Sequence, residues 1–210
     1  MSKMIDLSQT LNNDTPVYPG TVTPNIGSSN TIEHDNFREK SILIPSHFGT
    51  HIDAPAHVIA DGKSLDQLPL DHFTGAAAVL DARGMTVIDE IEAKNLLRDN
   101  PATEYVVIRT GWERYWKQAS YFEGYPVLSE SAAECLAAHG LKGIGLDAIS
   151  VDSIGDSSLP VHHRLLKRDL IIVENLCNLD ALPSSVFTFH CVPLKIEDAD
   201  GSPVRAIATV

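Results

Sequence analysis

The sequence predicts one domain of mixed α/β or α+β class, and three observations carry that reading. Apolar runs of strand length recur at residues 76–81, 105–110, 141–147 and 170–176. Segments with helical spacing stand between them, and strands mixed with helices build layered α/β or α+β architectures. The 210 residues show no internal repeat, linker or low-complexity tract, so residues 1–210 form one unit able to bury a substantial core.

Residues 4–7 read as an opening strand, and residues 12–16 and 18–20 as turns rich in Asn, Asp, Pro and Gly. Residues 21–40 are polar and irregular, a loop with a short strand, and His34 between Glu33 and Asp35 is a solvated histidine. The apolar stretch 41–45 is a strand that delivers the chain into residues 47–57. Residues 65–73 form a loop placed to cover a pocket, and His72 within it has no evident partner. Ile91, Leu96 and Leu97 have amphipathic spacing, which makes 89–97 a helix. Trp112 and Trp116, four apart, share a helical face as core or as a pocket wall. Residues 129–139 read as a second helix, with Ser131 and Glu134 as a capping box, Gly140 as its stop and His139 as a helix-end cation. Residues 161–169 have helical character and run into the strand 170–176. Strands at 186–196 and 205–210 flank a turn at 198–203, and His190 is a core histidine, with a pocket role as the alternative.

Charge and cysteine usage exclude several partners. The formal net charge of −12 argues against nucleic acid and against an anionic membrane, whereas it attracts divalent cations. Cys135, Cys177 and Cys191 form no CxxC, and the polar N-terminal stretch Met1 to Leu7 is too short for a leader, so a cytoplasmic location is expected. No apolar run reaches the length of a membrane span.

Residues 47–57 carry the chemistry. Their odd positions read His47, Gly49, His51, Asp53, Pro55 and His57, and their even ones Phe48, Thr50, Ile52, Ala54 and Ala56. In an extended chain alternate side chains take opposite faces, so the polar groups share one side. Gly49 and Pro55 argue against a helix. Fully extended, the Cα atoms of His47 and His51 would lie about 13 Å apart, and a bend at Gly49 closes that gap. Imidazole with carboxylate suits zinc, manganese or iron(II). Glu174 is the second unusual residue: it follows four large apolar residues, the mark of a strand buried on both faces, where an ionised carboxylate needs a partner or a cation. No GxSxG is present, which makes Ser/His/Asp catalysis the weaker alternative.

The stretch His47-Phe48-Gly49-Thr50-His51-Ile52-Asp53-Ala54-Pro55-Ala56-His57 resembles the HxGTHxDxPxH motif of the cyclase-type metal-dependent hydrolases, the family that includes bacterial kynurenine formamidase and isatin hydrolase. The resemblance runs from residues 15–20 to residues 203–208, nearly the whole chain. It implies a three-layer β/β/α swivelling-domain-like architecture, assembled as a homodimer or homotetramer. It further implies a binuclear site with zinc foremost and manganese or iron(II) as alternatives. His47, His51 and Asp53 would hold one ion, Asp53 and His162 the second, and Glu174 would bridge both. The family places a His and a Glu twelve residues apart here, as His162 and Glu174 stand, and Leu165-Leu166 aligns with its paired leucines; His163 is the competing candidate. The shared pattern of Gly145, Asp147, Ser150 and Asp152 is read as shaping and supporting the ligands. His57, set past Pro55, is the general base and acid, since its ordinary pKa suits both directions of transfer. Formamidases carry a pocket-lining Trp where this chain has Tyr18, a departure that weakens formylkynurenine as the substrate. Tyr18, Phe48 and the 65–73 loop are expected to shape the pocket. The implied reaction is hydrolysis of an amide C–N bond in a small molecule, either an aryl formamide or a cyclic amide of isatin type, with another ring-opening substrate as the alternative. A non-catalytic metal-bound module is the competing class, and it needs no spare proton carrier such as His57.

Overall fold

Thirteen strands and four α-helices follow one another along residues 3–210, the part of the chain this computed structural model describes. Met1 and Ser2, from the stretch read above as no leader, lie outside the described residues. The first half runs β1 (Met4–Asp6), β2 (Asn25–Asn30), α1 (Ile32–Asp35), β3 (Glu39–Leu43), β4 (His51–Asp53), β5 (Thr74–Asp81), β6 (Val87–Ile88), α2 (Glu90–Asp99) and β7 (Tyr105–Arg109). The second half runs β8 (Val127–Leu128), α3 (Glu130–Ala138), β9 (Gly143–Leu146), α4 (Pro160–Leu166), β10 (Ile171–Glu174), β11 (Phe187–His190), β12 (Gly201–Pro203) and β13 (Ile207–Thr209). No described helix is long and apolar enough to cross a membrane.

Nine strands form one sheet in the order β1-β13-β11-β5-β7-β9-β10-β4-β12. Its centre, β5-β7-β9-β10, is parallel, and the strands on either side of it are antiparallel. The parallel strands are the near-continuous apolar runs of the sequence, as strands covered on both faces require. Alternation then sorts their residues. Val106, Ile108 and Ile172 pack with Leu97, Leu136 and Leu165 of the helices in one core. Tyr105, Val107, Ile171 and Val173 enter a second core with Ile5, Ile52, Phe189 and Ala208, which come from both ends of the sheet. The ends meet because the sheet curls: Ser8 bridges Leu176, and the Cys177 N–H donates to the Leu7 carbonyl at 3.0 Å. The fold is therefore mixed α/β, with the two parts of a curled sheet facing each other and helices as the third layer.

Local chemistry explains most boundaries and corrects three. Asp89 caps α2 and closes a capping box with Glu92. The cap of α3 is Ser129, whose side chain accepts the Ala132 N–H at 3.1 Å, not Ser131. Glu134 lies near Arg164 and Arg168 instead of returning to the cap, and Ser131 bonds Asp89. Residues 41–45 do not join the main sheet. β3 pairs only with β2 in a two-stranded ribbon that leaves Ile42 and Leu43 about 60% exposed. Residues 65–73 do not cover a pocket either; they coil into short 3-10 turns whose Leu65, Leu68 and Phe73 fill the second core. Trp112 and Trp116 pack against the helix-side core.

Candidate metal centre

β4 and β10 pair antiparallel with Glu174 opposite His51, Val173 opposite Ile52 and Ile172 opposite Asp53. Directly opposed residues point to the same face, so Glu174, His51 and Asp53 project together while Ile52 and Val173 enter the second core. Burial of Ile171, Ile172 and Val173, worth about 1.5–3 kcal/mol per side chain, offsets the cost of carrying Glu174 at the strand end. Gly49 makes the bend the sequence calls for, at φ +61°, and a Cβ there would lie 2.1 Å from Leu11 Cδ2. The turn brings His47 back until its Nδ1 stands 2.7 Å from Asp53 Oδ1.

α4 supplies the other wall. The Asp152 carboxylate accepts the Val161 N–H at 2.9 Å, the His162 N–H at 3.0 Å and the His162 ring Nδ1–H at 2.7 Å. His162 Nε2 is thereby aimed inward, 3.7 Å from Asp53 Oδ2 and 3.5 Å from Glu174 Oε1. His51 is held in the same manner: its Nδ1 donates to the Gly49 carbonyl at 2.8 Å, and its Nε2 lies 3.3 Å from Asp53 Oδ1 and 3.6 Å from Glu174 Oε2. Each carboxylate thus offers one oxygen to the His51 side and the other to the His162 side. His163 is exposed on the far face of α4, beside Arg164 and Lys167, away from this cluster.

This donor set fits divalent cations. Glu174 Oε1 is buried with no hydrogen-bond partner, and the ion pairs of Asp53 and Glu174 are with histidines alone among the described residues. A buried carboxylate without a cation is costly, and imidazole nitrogens with carboxylate oxygens match the preferences of zinc, manganese and iron(II). Burial pushes Glu174 up, aided by the Asp53 charge. Burial also pushes Asp53 up, but the His47 charge and hydrogen bonds from His162, His47 and His51 outweigh it and hold Asp53 well below the usual range. Burial lowers His47, yet the Asp53 and Asp200 carboxylates win and raise it to about 10. His162 is raised well above its ordinary value, because bonds to Asp152, Asp53 and Glu174 overcome its burial.

His57 ends a short 3-10 turn after Pro55, with its ring centroid 4.0 Å from that of His47 and 5.9 Å from that of His162. Burial, with the nearby His47 and His162 charges, lowers its pKa, although the Asp53 carboxylate opposes this. It faces a cavity of about 480 Å³ floored by His47, His51, His162 and Glu174 and walled by Pro16, Tyr18, Pro45, Ile149 and Leu159. The Tyr18 hydroxyl donates to the Ile154 carbonyl at 3.1 Å, which pins the ring in the wall. Phe48 is fully buried and is not part of the wall, contrary to expectation. His190 bonds Thr74 and Thr209 away from the cavity, in keeping with a structural role.

Two residues at the site escaped the sequence reading. Asn175 donates to the Gly49 carbonyl at 2.8 Å and accepts the Tyr121 hydroxyl at 2.7 Å, so it braces the bend; its place next to Glu174 was the available signal. Asp200 accepts from His47 Nε2 at 2.9 Å, and nothing in its local sequence marked it. Asp152 and Asp147, read above as shaping residues, both anchor backbone: Asp152 holds α4, and Asp147 accepts the Thr110 and Gly111 N–H groups.

Known proteins share this arrangement of chain. The Cyclase family model, described as "Putative cyclase", matches residues 5–153. A kynurenine formamidase of Bacillus mycoides (strain KBAB4) is 34% identical over 207 residues, covering 98% of this chain and 97% of that protein. A crystal structure of an isatin hydrolase bound to the product analogue thioisatinate superposes with a TM-score of 0.91 at 24% identity, covering 100% of this chain and 92% of the other. Isatin hydrolase A from Labrenzia aggregata gives a TM-score of 0.88 at 23% identity, covering 100% and 94%. The isatin hydrolase likenesses bear on the fold alone, whereas the family model and the formamidase relative, spanning most of the chain, show descent: this chain belongs to the cyclase family.

Proposed function

We propose that the protein is a metal-dependent hydrolase that cleaves the amide C–N bond of a small neutral molecule, an aryl formamide or a cyclic lactam, with residues 1–210 acting as one catalytic domain. The observation that carries the reading is the pair of buried carboxylates, Asp53 and Glu174, each dividing its oxygens between His51 and His162. His47, His51 and Asp53 would hold one divalent ion, Asp53 and His162 the second, and Glu174 would be shared by both, since two close cations need shared anions between them. Zinc suits the donor set best, and manganese or iron(II) are accommodated. A divalent ion held there acidifies water and polarises a carbonyl. His57, neutral because burial lowers its pKa, takes a proton from the attacking water at one ring nitrogen and returns it to the leaving nitrogen. Tyr18 and the apolar wall orient the ring of the substrate, and about 480 Å³ is ample for a bicyclic amide.

The test compares metal-loaded wild type with His57→Ala on formanilide and isatin. The expected result is unchanged metal content with a loss in kcat/KM of about 10²-fold or more. Equal turnover by both removes His57 from the mechanism, and no turnover by wild type on a panel of amides and lactones favours a binding module. We also infer a homodimer or homotetramer in the cytoplasm. Exposed Phe37, Ile42 and Leu43 around the β2–β3 ribbon and three free cysteines support that reading. A monomer in sedimentation, or recovery outside the cytoplasmic fraction, would count against it.

A further inference from the structure

We propose that Asp200 is a positioning residue of this centre, a single carboxylate that fixes which nitrogen of His47 faces the metal ligands. The inference rests on the metal-centre reading above. Asp200 Oδ2 accepts from His47 Nε2 at 2.9 Å and stands 3.6 Å from His57 Nδ1. The opposite nitrogen of His47, Nδ1, lies 2.7 Å from Asp53 Oδ1. An imidazole that donates one N–H to a carboxylate presents its other nitrogen as the lone pair, and such partners set both ring orientation and basicity.

The three histidines around Asp53 and Glu174 then follow one logic with opposite outcomes. His51 and His162 have Nδ1 engaged by the Gly49 carbonyl and by Asp152, so their Nε2 atoms face inward. His47 has Nε2 engaged by Asp200, so its Nδ1 faces inward. Without Asp200 the His47 ring is free to turn over and present the wrong nitrogen.

An exposed acid often makes contacts of no consequence, and the Asp200 side chain is 46% exposed. Two features set it apart. Its backbone is locked to the site: the Asp200 carbonyl accepts the Ala54 N–H at 2.9 Å, and the next residue, Gly201, pairs with Asp53 in the β12–β4 ladder. Gly201 is also the gap in which the His47 ring rests, because a Cβ there would come within 2.6 Å of His47 Cε1 and 2.9 Å of Nε2. The turn before β12 therefore supplies both the acceptor for His47 and the space for its ring.

The test uses the full chain and reads zinc affinity by chelator competition, the absorption spectrum of the cobalt-loaded protein, and kcat and KM on the substrate that wild type turns over. Asp200→Ala is expected to lower zinc affinity by about 10–100-fold and to change the cobalt spectrum, with the loss of rate in kcat and KM little changed. Asp200→Asn keeps an acceptor oxygen and is expected to recover most of the affinity. Gly201→Ala is expected to reproduce the Asp200→Ala spectrum with the carboxylate intact, and it carries the test if Asp200→Ala does not fold. Glu197→Gln removes an exposed charge three residues earlier in the chain and is expected to leave every readout unchanged. Wild-type affinity and an unaltered cobalt spectrum in Asp200→Ala overturn the inference, as does an equal loss in Glu197→Gln. Wild type that binds no metal overturns instead the reading on which the inference rests.

Discussion

Glu174 stands directly across the β10–β4 ladder from His51, with its Oε2 3.6 Å from His51 Nε2 and its Oε1 buried without a hydrogen bond. A sheet register has put a carboxylate where the fold by itself has no use for it. The expected consequences of that placement can be measured.

Replacing Glu174 with Gln should separate stability from metal binding. Burial raises the carboxyl above its ordinary 4.5, so its ionised form costs folding energy. A group with a raised folded pKa keeps its stability below the unfolded value and loses it as pH rises through the folded one. Urea melts in chelator should therefore show Glu174→Gln and wild type alike near pH 4, with the variant gaining on wild type as pH rises to neutral. The same variant should bind zinc at least about tenfold more weakly. A variant less stable than wild type in chelator at pH 7 would contradict this account.

Zinc should displace protons. His47 and His162 are both raised, His47 to about 10, so the metal-free protein carries protons there at pH 7. Ligand imidazoles bind metal only when neutral, so zinc added to weakly buffered protein should acidify the solution, and less so for His162→Ala. Free zinc at about 1,000 times Kd should add about 4 kcal/mol to unfolding. A melting temperature indifferent to zinc would remove the metal centre.

His162→Ala and His163→Ala form a matched pair one residue apart. The first empties a buried position bonded to Asp152; the second changes an exposed one. Zinc affinity should collapse in the first, and the second should stay within about 0.5 kcal/mol of wild type in stability. The reverse pattern would assign the ligand to His163.

Gly49→Ala should damage fold and site together. The backbone sits at φ +61° and the added methyl would strike Leu11, while the Gly49 carbonyl fixes both His51 and Asn175. A loss of about 1–3 kcal/mol in denaturant midpoint analysis is expected, with weaker zinc binding in the fraction that folds.

Cysteine labelling reports the packing independently of the metal. Burial pushes the Cys177 and Cys191 thiols up to about 12, so at pH 8 they remain protonated and shielded. Cys135, only partly buried, should be alkylated first, and the other two after unfolding, as read by mass spectrometry of peptides.

The legible part of this protein was short-range. Alternation along 47–57 put His51 and Asp53 on one side, Gly49 announced the bend, and the lone acid after 170–173 marked Glu174. Each follows from backbone periods that neighbouring residues alone impose. The same local rules misled at 41–45, where apolar residues entered an exposed ribbon, and at 129–134, where the cap is Ser129 and Glu134 therefore lies inside the helix, out of capping position.

Long-range pairing settled the remainder. The phase of α4, set by Asp152 ten residues earlier, buries His162 beside Asp53 and Glu174 and leaves His163 exposed. Asp200 reached His47 across 153 positions because β12 adds to β4 in one register. Side-chain direction is a property of a few consecutive residues, and the sequence declares it. Which directions converge depends on how the curled sheet closes over its two cores, an energy summed over residues far apart in the chain.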